Sequence, residues 1–153
     1  MENNQKLGRY QRIYSQLKDI TGKVSDPVSR MATIAAVLHN KFDHFYWTGF
    51  YLLRDGELLV GPYQGTVACV RLEKKKGVCW AGINSGSPVI VPNVEEFEGH
   101  IACDSRSKSE IVIPLRNRKN EILGVLDIDS RSLNSFNDVD KQGLEQIAGL
   151  IYN

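Results

Sequence analysis

The run Glu110–Asp129, EIVIPLRNRKNEILGVLDID, holds two apolar, β-branched stretches, EIVIPL and EILGVLDID, on either side of the polar turn RNRKN. Two strand-like runs divided by a short polar turn read as an antiparallel hairpin. Side chains alternate along a strand, so Asp127 and Asp129, at i and i+2, point to one face and stand roughly 7 Å apart along it. Glu110 opens the neighbouring strand. Three carboxylates therefore gather near one end of a sheet.

Working outward, the same texture continues toward the N-terminus. SPVIVP and TVACVRL are further strand candidates, and RDGE (Arg54–Glu57) is a two-residue hairpin signal between FYLL and ELLVGPY. GVCWAGINSG reads as a short helix between strands. Before residue 43 the period changes. Leu7, Tyr10, Ile13, Tyr14, Leu17 and Ile20 recur every three or four residues, the signature of one helical face. Asp26 caps a second helix with Pro27 at its first position and Val28, Met31, Ile34, Ala35 and Leu38 inward. After the sheet, Asn137 or Asp138 caps a closing helix with Leu144, Ile147, Ala148 and Ile151 inward. The expected fold is α+β in one domain over 1–153: helices in 1–42, a mainly antiparallel sheet with site loops in 44–130, a closing helix in 137–152, and the helices packed chiefly on one face.

Composition narrows the function. In 153 residues, 42% are hydrophobic and 24% charged, and 19 basic side chains against 18 acidic ones leave a net charge of +1. That balance argues against nucleic acid and membrane surfaces as partners. The one basic run, Lys74–Lys76, reads as a solvated turn. The first twenty residues are polar with a helical period, unlike a signal peptide. Three cysteines without a CxxC pair do not make a secreted disulfide framework, so a cytoplasmic protein with free thiols is expected.

Cys69 lies in QGTVACVR, Cys79 in KKGVCWAG and Cys103 in GHIACDSRSKSE. Nearby basic side chains favour the reactive thiolate, whereas Asp104 opposes it at Cys103 unless Arg106 or Lys108 folds back. A small buried hydrophobe is the plainer reading of each. A zinc site from the cysteines and His100 is disfavoured, because ligand pairs usually sit two to four residues apart and the cysteines here are separated by 10 and 24 positions. Crowded carboxylates raise at least one pKa and yield a proton donor near neutral pH, while remaining negative charge suits a cation. A solvated strand end with a turn cap, or a Mg²⁺ site, fits the same spacing. Trp47 and Tyr51, at i and i+4 in FYWTGFY, share a side of a strand and form either core or a ligand wall.

Taken together, GPYQGTVACVR, KGVCWAG, GHIACDSRSKSEIVIPL and GVLDIDS resemble the free methionine-(R)-sulfoxide reductases, single-domain enzymes of GAF fold. The resemblance implies that Cys103 attacks the sulfur of free methionine-(R)-sulfoxide and becomes a sulfenic acid, that Cys69 resolves it as a disulfide, and that Cys79 is auxiliary or a second resolving thiol. It implies thioredoxin, fed by NADPH, as external reductant, with no bound cofactor and no metal. Glu110, Asp127, Asp129, Trp47 and Tyr51 match the family's substrate-binding positions. Val67, Trp80 and Glu98 depart from the commonest form of the motifs, all in loops that carry thiols or close the pocket. A homodimer fits the fold. The alternative is a GAF-type module that senses a small ligand or redox state without turnover.

Overall fold

The computed structural model describes residues 1–100 and 103–153. Ile101 and Ala102, which lead the GHIACDS block into Cys103, lie outside the described residues. The chain runs α1 (Asn3–Thr21), α2 (Pro27–Lys41), β1 (Trp47–Arg54), β2 (Glu57–Gln64), β3 (Arg71–Leu72), α3 (Gly77–Ser85), β4 (Val89–Val91), a 3₁₀ turn (Val94–Glu96), β5 (Ser109–Arg116), β6 (Ile122–Ser130) and α4 (Asp138–Ala148). Six strands form one antiparallel sheet in the order β3-β2-β1-β6-β5-β4. Among the described residues no helix is long and apolar enough to cross a membrane.

The β5–β6 hairpin forms as its sequence predicts, with Ile113 opposite Leu126. The RDGE turn is closed by Asp55 and Gly56, both at positive φ (52° and 80°), the mirror-image geometry that matches the twist of a tight hairpin. The pairing of β6 with β1 joins segments far apart in the chain and sets β6 at the centre of the sheet. Its alternating residues divide two cores. Leu126 and Ile128, with Phe50, Leu52, Ile111, Ile113 and Leu115, pack against α1, α2 and α4. Val125, with Trp47, Tyr51, Val91 and Val112, faces α3 and the opposite side. Burial on both faces explains why these strands read as nearly continuous apolar runs.

The face of α1 is turned from its expected position, and that of α2 departs at one residue. In α1 the buried stripe is Lys6, Tyr10, Ile13, Leu17 and Thr21, whereas Leu7 and Ile20 are exposed. The cause is Asp140 at the start of α4. Its carboxylate is fully buried, pairs with Lys6 Nζ at 2.7 Å and accepts from Tyr10 Oη at 2.6 Å. It also accepts from the Asn137 backbone N–H at 2.9 Å and so closes a capping box. Gly143 leaves room for the Tyr10 ring, since a Cβ there would fall 2.7 Å from Cδ1. In α2, Asp26 and Pro27 cap as expected, but Val28 is exposed.

TVACVRL does not form a full strand; only Arg71–Leu72 pairs with β2. Residues 66–70 instead leave the sheet edge as a loop, which places Cys69 over the face that carries α3.

Candidate active site

Strand register assembles the site. Asp129 of β6 lies between Trp47 of β1 and Glu110 of β5, while Asp127 lies between Gly49 and Val112. The positions that face α3 here are thus three carboxylates, an indole, the Val112 side chain and the gap at Gly49. A cavity of ≈ 60 Å³ opens above them, with Cys79 on its α3 wall and Cys103 at its rim. Glu110 and Asp127 are buried.

Burial is the main reason each carboxyl group stays protonated to unusually high pH. Glu110 is pushed well above the usual range by burial and then by the charges of Asp127 and Asp129. Asp129 is raised well above it by burial and then by Asp127. Asp127 is also raised by burial, but hydrogen bonds from Glu110 and Cys79 act in the opposite direction. Asp127 is thus the member of the cluster whose charged form Glu110 and Cys79 favour by hydrogen bonding. Its Oδ1 is buried without a hydrogen-bond partner among the described residues, a costly arrangement in the absence of a donor. The site has the chemistry to hold a cationic group and to deliver a proton.

Trp47 and Tyr51 form one wall, their ring centroids 5.8 Å apart, with Tyr63 5.2 Å from Trp47 on its other side. Polar handles fix both rings. Trp47 Nε1 donates to Thr66 O at 3.1 Å, and Tyr51 Oη donates to Cys69 O at 2.9 Å. Gly49 completes this wall and was missed by sequence reasoning. A Cβ on it would lie 2.7 Å from Trp47 Cη2, so glycine lets the indole lie along the strand. The clue was a glycine inside an aromatic strand, which marks a close approach.

The three thiols fall in one region despite their wide spacing. Cys69 and Cys103 are joined in a disulfide with Cα atoms 5.6 Å apart, the pairing that the family resemblance implies. Cys103 is exposed, and Cys69 is half-buried. Cys79 is free and buried on α3. Lys74–Lys76 precede it in sequence, yet they do not make it a thiolate. Burial, then the charge of Asp127, push its pKa well above the ordinary value. Among the described residues, the set that could hold a cation is Cys79, Glu110 and Asp127, whose ligand atoms lie within 4.8 Å of one another, rather than three cysteines with His100. His100 Nε2 lies 3.8 Å from Glu110 Oε1, and desolvation lowers its pKa.

Asp104, weighed in sequence only as a charge beside Cys103, proves to be a junction. Arg106 does fold back: its N–H, Nε and Nη2 donate to Asp104 at 2.9, 3.1 and 3.0 Å. Tyr46 Oη and Thr66 Oγ1 donate to Asp104 Oδ2 at 2.7 and 2.9 Å. These bonds, led by those from Arg106, hold its carboxyl well below the usual range. Neither Tyr46 nor Thr66 carries a sequence signal for this contact, which joins residues 58 and 38 positions away.

Comparison with known proteins gives the family. A GAF-domain family model matches residues 26–152. The chain is 44% identical over 133 residues to the free methionine-R-sulfoxide reductase of Escherichia coli K12, covering 85% of this chain and 80% of that protein. It is 42% identical over 146 residues to GAF domain-containing protein A of Dictyostelium discoideum, covering 95% and 91%. Its structure superposes with a TM-score of 0.91, at 36% identity and over 96% and 88% of the two chains, on a free methionine-R-sulfoxide reductase from Neisseria meningitidis in complex with its substrate. By sequence and by structure, the chain belongs to the GAF-domain family, with free methionine-R-sulfoxide reductases among its relatives.

Proposed function

We propose that the protein is a single catalytic domain that reduces free L-methionine-(R)-sulfoxide to L-methionine. The observation that carries this reading is the Cys69–Cys103 disulfide at the rim of a pocket floored by Glu110, Asp127 and Asp129. A redox-active pair beside a proton donor and a cation holder is what reduction of a free amino-acid sulfoxide requires.

In the reduced protein, Cys103 Sγ as thiolate attacks the sulfoxide sulfur, and a protonated carboxyl group delivers a proton to its oxygen. Glu110 fits that donor, because burial and two carboxylate neighbours keep its proton on at neutral pH. Asp127 Oδ1, buried and unpartnered, fits the substrate ammonium. A peptide-bound methionine sulfoxide lacks that ammonium and would leave Asp127 without its counter-charge, which gives preference for the free amino acid. Trp47 and Tyr51 suit the S-methyl end. Methionine departs, having gained two electrons, and Cys103 remains as sulfenic acid. Cys69 then attacks Cys103 Sγ, the S–O bond breaks and water leaves. Thioredoxin, as a dithiol reductant, returns the pair to thiols by exchange. Cys79, buried and protonated, stays in reserve as an auxiliary thiol. A cycle that draws on NADPH and thioredoxin suits the cytoplasm.

The test is NADPH consumption in a thioredoxin-coupled assay with free methionine-R-sulfoxide, its S epimer and N-acetylated R-sulfoxide. Turnover of the free R form alone is expected. No turnover of any, together with tight binding of another small molecule, would replace the reductase with a sensing module.

A further inference from the structure

Resting on that reading, we propose that Asp104 is a positioning residue for disulfide closure, holding the Cys103 loop and the Cys69 loop together against the sheet. It follows Cys103 directly, and its Oδ2 accepts from Thr66, three residues before Cys69, and from Tyr46, the residue before β1. Tyr46 is itself fixed to the sheet, because its backbone N–H donates to Asp129 O at 2.8 Å. The guanidinium groups of Arg106 and Arg131 lie over its ring, 5.3 and 5.4 Å from its centroid. Thr66 is held a second time through its carbonyl by Trp47 Nε1. One carboxylate thus ties both thiol-bearing loops to the two strands that also carry Trp47 and Asp129. Arg106 neutralises its charge, so the junction forms beside a nucleophilic thiol without adding net negative charge.

The step this junction serves is the second one. Cys69 Sγ must reach Cys103 Sγ along the S–O bond that breaks; the S–S bond forms, and hydroxide leaves with the proton of the Cys69 thiol as water. Such a reaction within one molecule depends on how closely its partners are held, and small misplacements are expensive. Attack of Cys103 on the sulfoxide draws chiefly on Glu110, Asp127 and Asp129; Asp104 lines the same cavity, but its carboxylate is engaged by Arg106, Tyr46 and Thr66.

The experiment follows a single turnover of reduced protein, with dimedone trapping the sulfenic acid and mass spectrometry of the quenched protein counting disulfide. In Asp104→Ala disulfide closure should slow roughly 10- to 100-fold, more than the methionine burst does, so that trapped sulfenic acid accumulates. Asp104→Asn, whose amide oxygen still accepts from Tyr46 or Thr66, should recover part of the rate. Thr66→Val, which cuts the side-chain link to the Cys69 loop, should slow closure more than it slows the burst. A second arm equilibrates each protein with glutathione and its disulfide, without any sulfoxide. Asp104→Ala should shift that equilibrium toward the dithiol by a factor comparable to its rate loss. Native closure rates and a native glutathione equilibrium in both Asp104→Ala and Thr66→Val would overturn the proposal. Because the glutathione arm needs no substrate, a native protein that fails to reduce methionine sulfoxide would overturn the reductase reading and still leave Asp104 to be judged.

Discussion

Glu110 on β5 is the direct cross-strand partner of Asp129 on β6, so two carboxyl groups face the same cavity from adjacent strands. Directly opposed residues have Cβ atoms about 5 Å apart, and like charges at that separation destabilise a sheet. Burial adds to the penalty. The protein keeps this pair in a position where apolar side chains would pack more favourably, and the ledger is visible in its dependence on pH.

Glu110 and Asp129 both have folded-state pKa values raised above those of the unfolded chain. The folded state then binds more protons than the unfolded state, so stability falls as pH rises above the unfolded carboxyl value of about 4, until the folded values are passed. Glu110→Gln removes one such group. At neutral pH its melting temperature should exceed that of the native protein by a few degrees, and the two should converge near pH 4. Calorimetry of both proteins from pH 4 to 8 checks this. The same variant should lose most of its turnover, since the proton donor is gone. An unchanged gap across the pH range would show that Glu110 is charged in the folded state.

The two disulfide cysteines should fail in different ways. Cys103→Ser removes the attacking sulfur, so no methionine forms even in a single turnover. Cys69→Ser leaves attack intact and should release one equivalent of methionine per protein with dithiol-free buffer, after which Cys103 sulfenic acid is trapped by dimedone. Quantifying methionine against protein in one burst distinguishes these roles. Cys79→Ser should keep the burst and the Cys69–Cys103 disulfide, because its buried thiol lies outside that pair.

Gly49→Ala should disturb the pocket wall without touching a polar group. Its Cβ would press on the Trp47 indole and on Tyr63, and overpacking of this kind costs about 1–3 kcal/mol. The expected result is a raised KM for methionine sulfoxide as the indole is displaced, with a smaller change in kcat. Steady-state kinetics and the near-ultraviolet circular dichroism of Trp47 report on the two effects. A native KM would mean that the ring finds another route past the methyl group.

How much of this could be read from the chain depends on the range of each interaction. Local geometry was legible. The RDGE turn needs positive φ at Asp55 and Gly56, Asp26 and Pro27 cap α2, and the β5–β6 hairpin brings Asp127, Asp129 and Glu110 together through a five-residue turn. Contacts with no local trace were not. The β1–β6 pairing that puts Trp47 beside Asp129 has no signature in either segment. TVACVRL has strand composition, but the Cys69–Cys103 bridge and the Thr66–Asp104 bond hold its first part off the sheet. Hydrophobicity alone puts Leu7 and Ile20 on the inner face of α1, and the buried Lys6 overrules it.

That lysine gives the last prediction. Lys6 and Asp140 form a buried ion pair on the helical side of the sheet, with Tyr10 as a third member and the α4 capping box built on the same carboxylate. Removing one partner leaves a buried charge without compensation, which costs about 3–5 kcal/mol. For a chain of this size Lys6→Ala should lower the melting temperature by roughly 6–20 °C. Tyr10→Phe, which keeps the ring against Gly143 and loses one hydrogen bond to a charged group, should cost less, about 1.5–3 kcal/mol. Because the sheet separates this cluster from the pocket, kcat and KM at 25 °C should stay native while the fold holds. Thermal melts paired with room-temperature kinetics measure both. A Lys6→Ala protein that melts normally would show that water reaches Asp140, whereas one that melts early and also loses kcat would mean that α1 and α4 help to shape the pocket through the sheet.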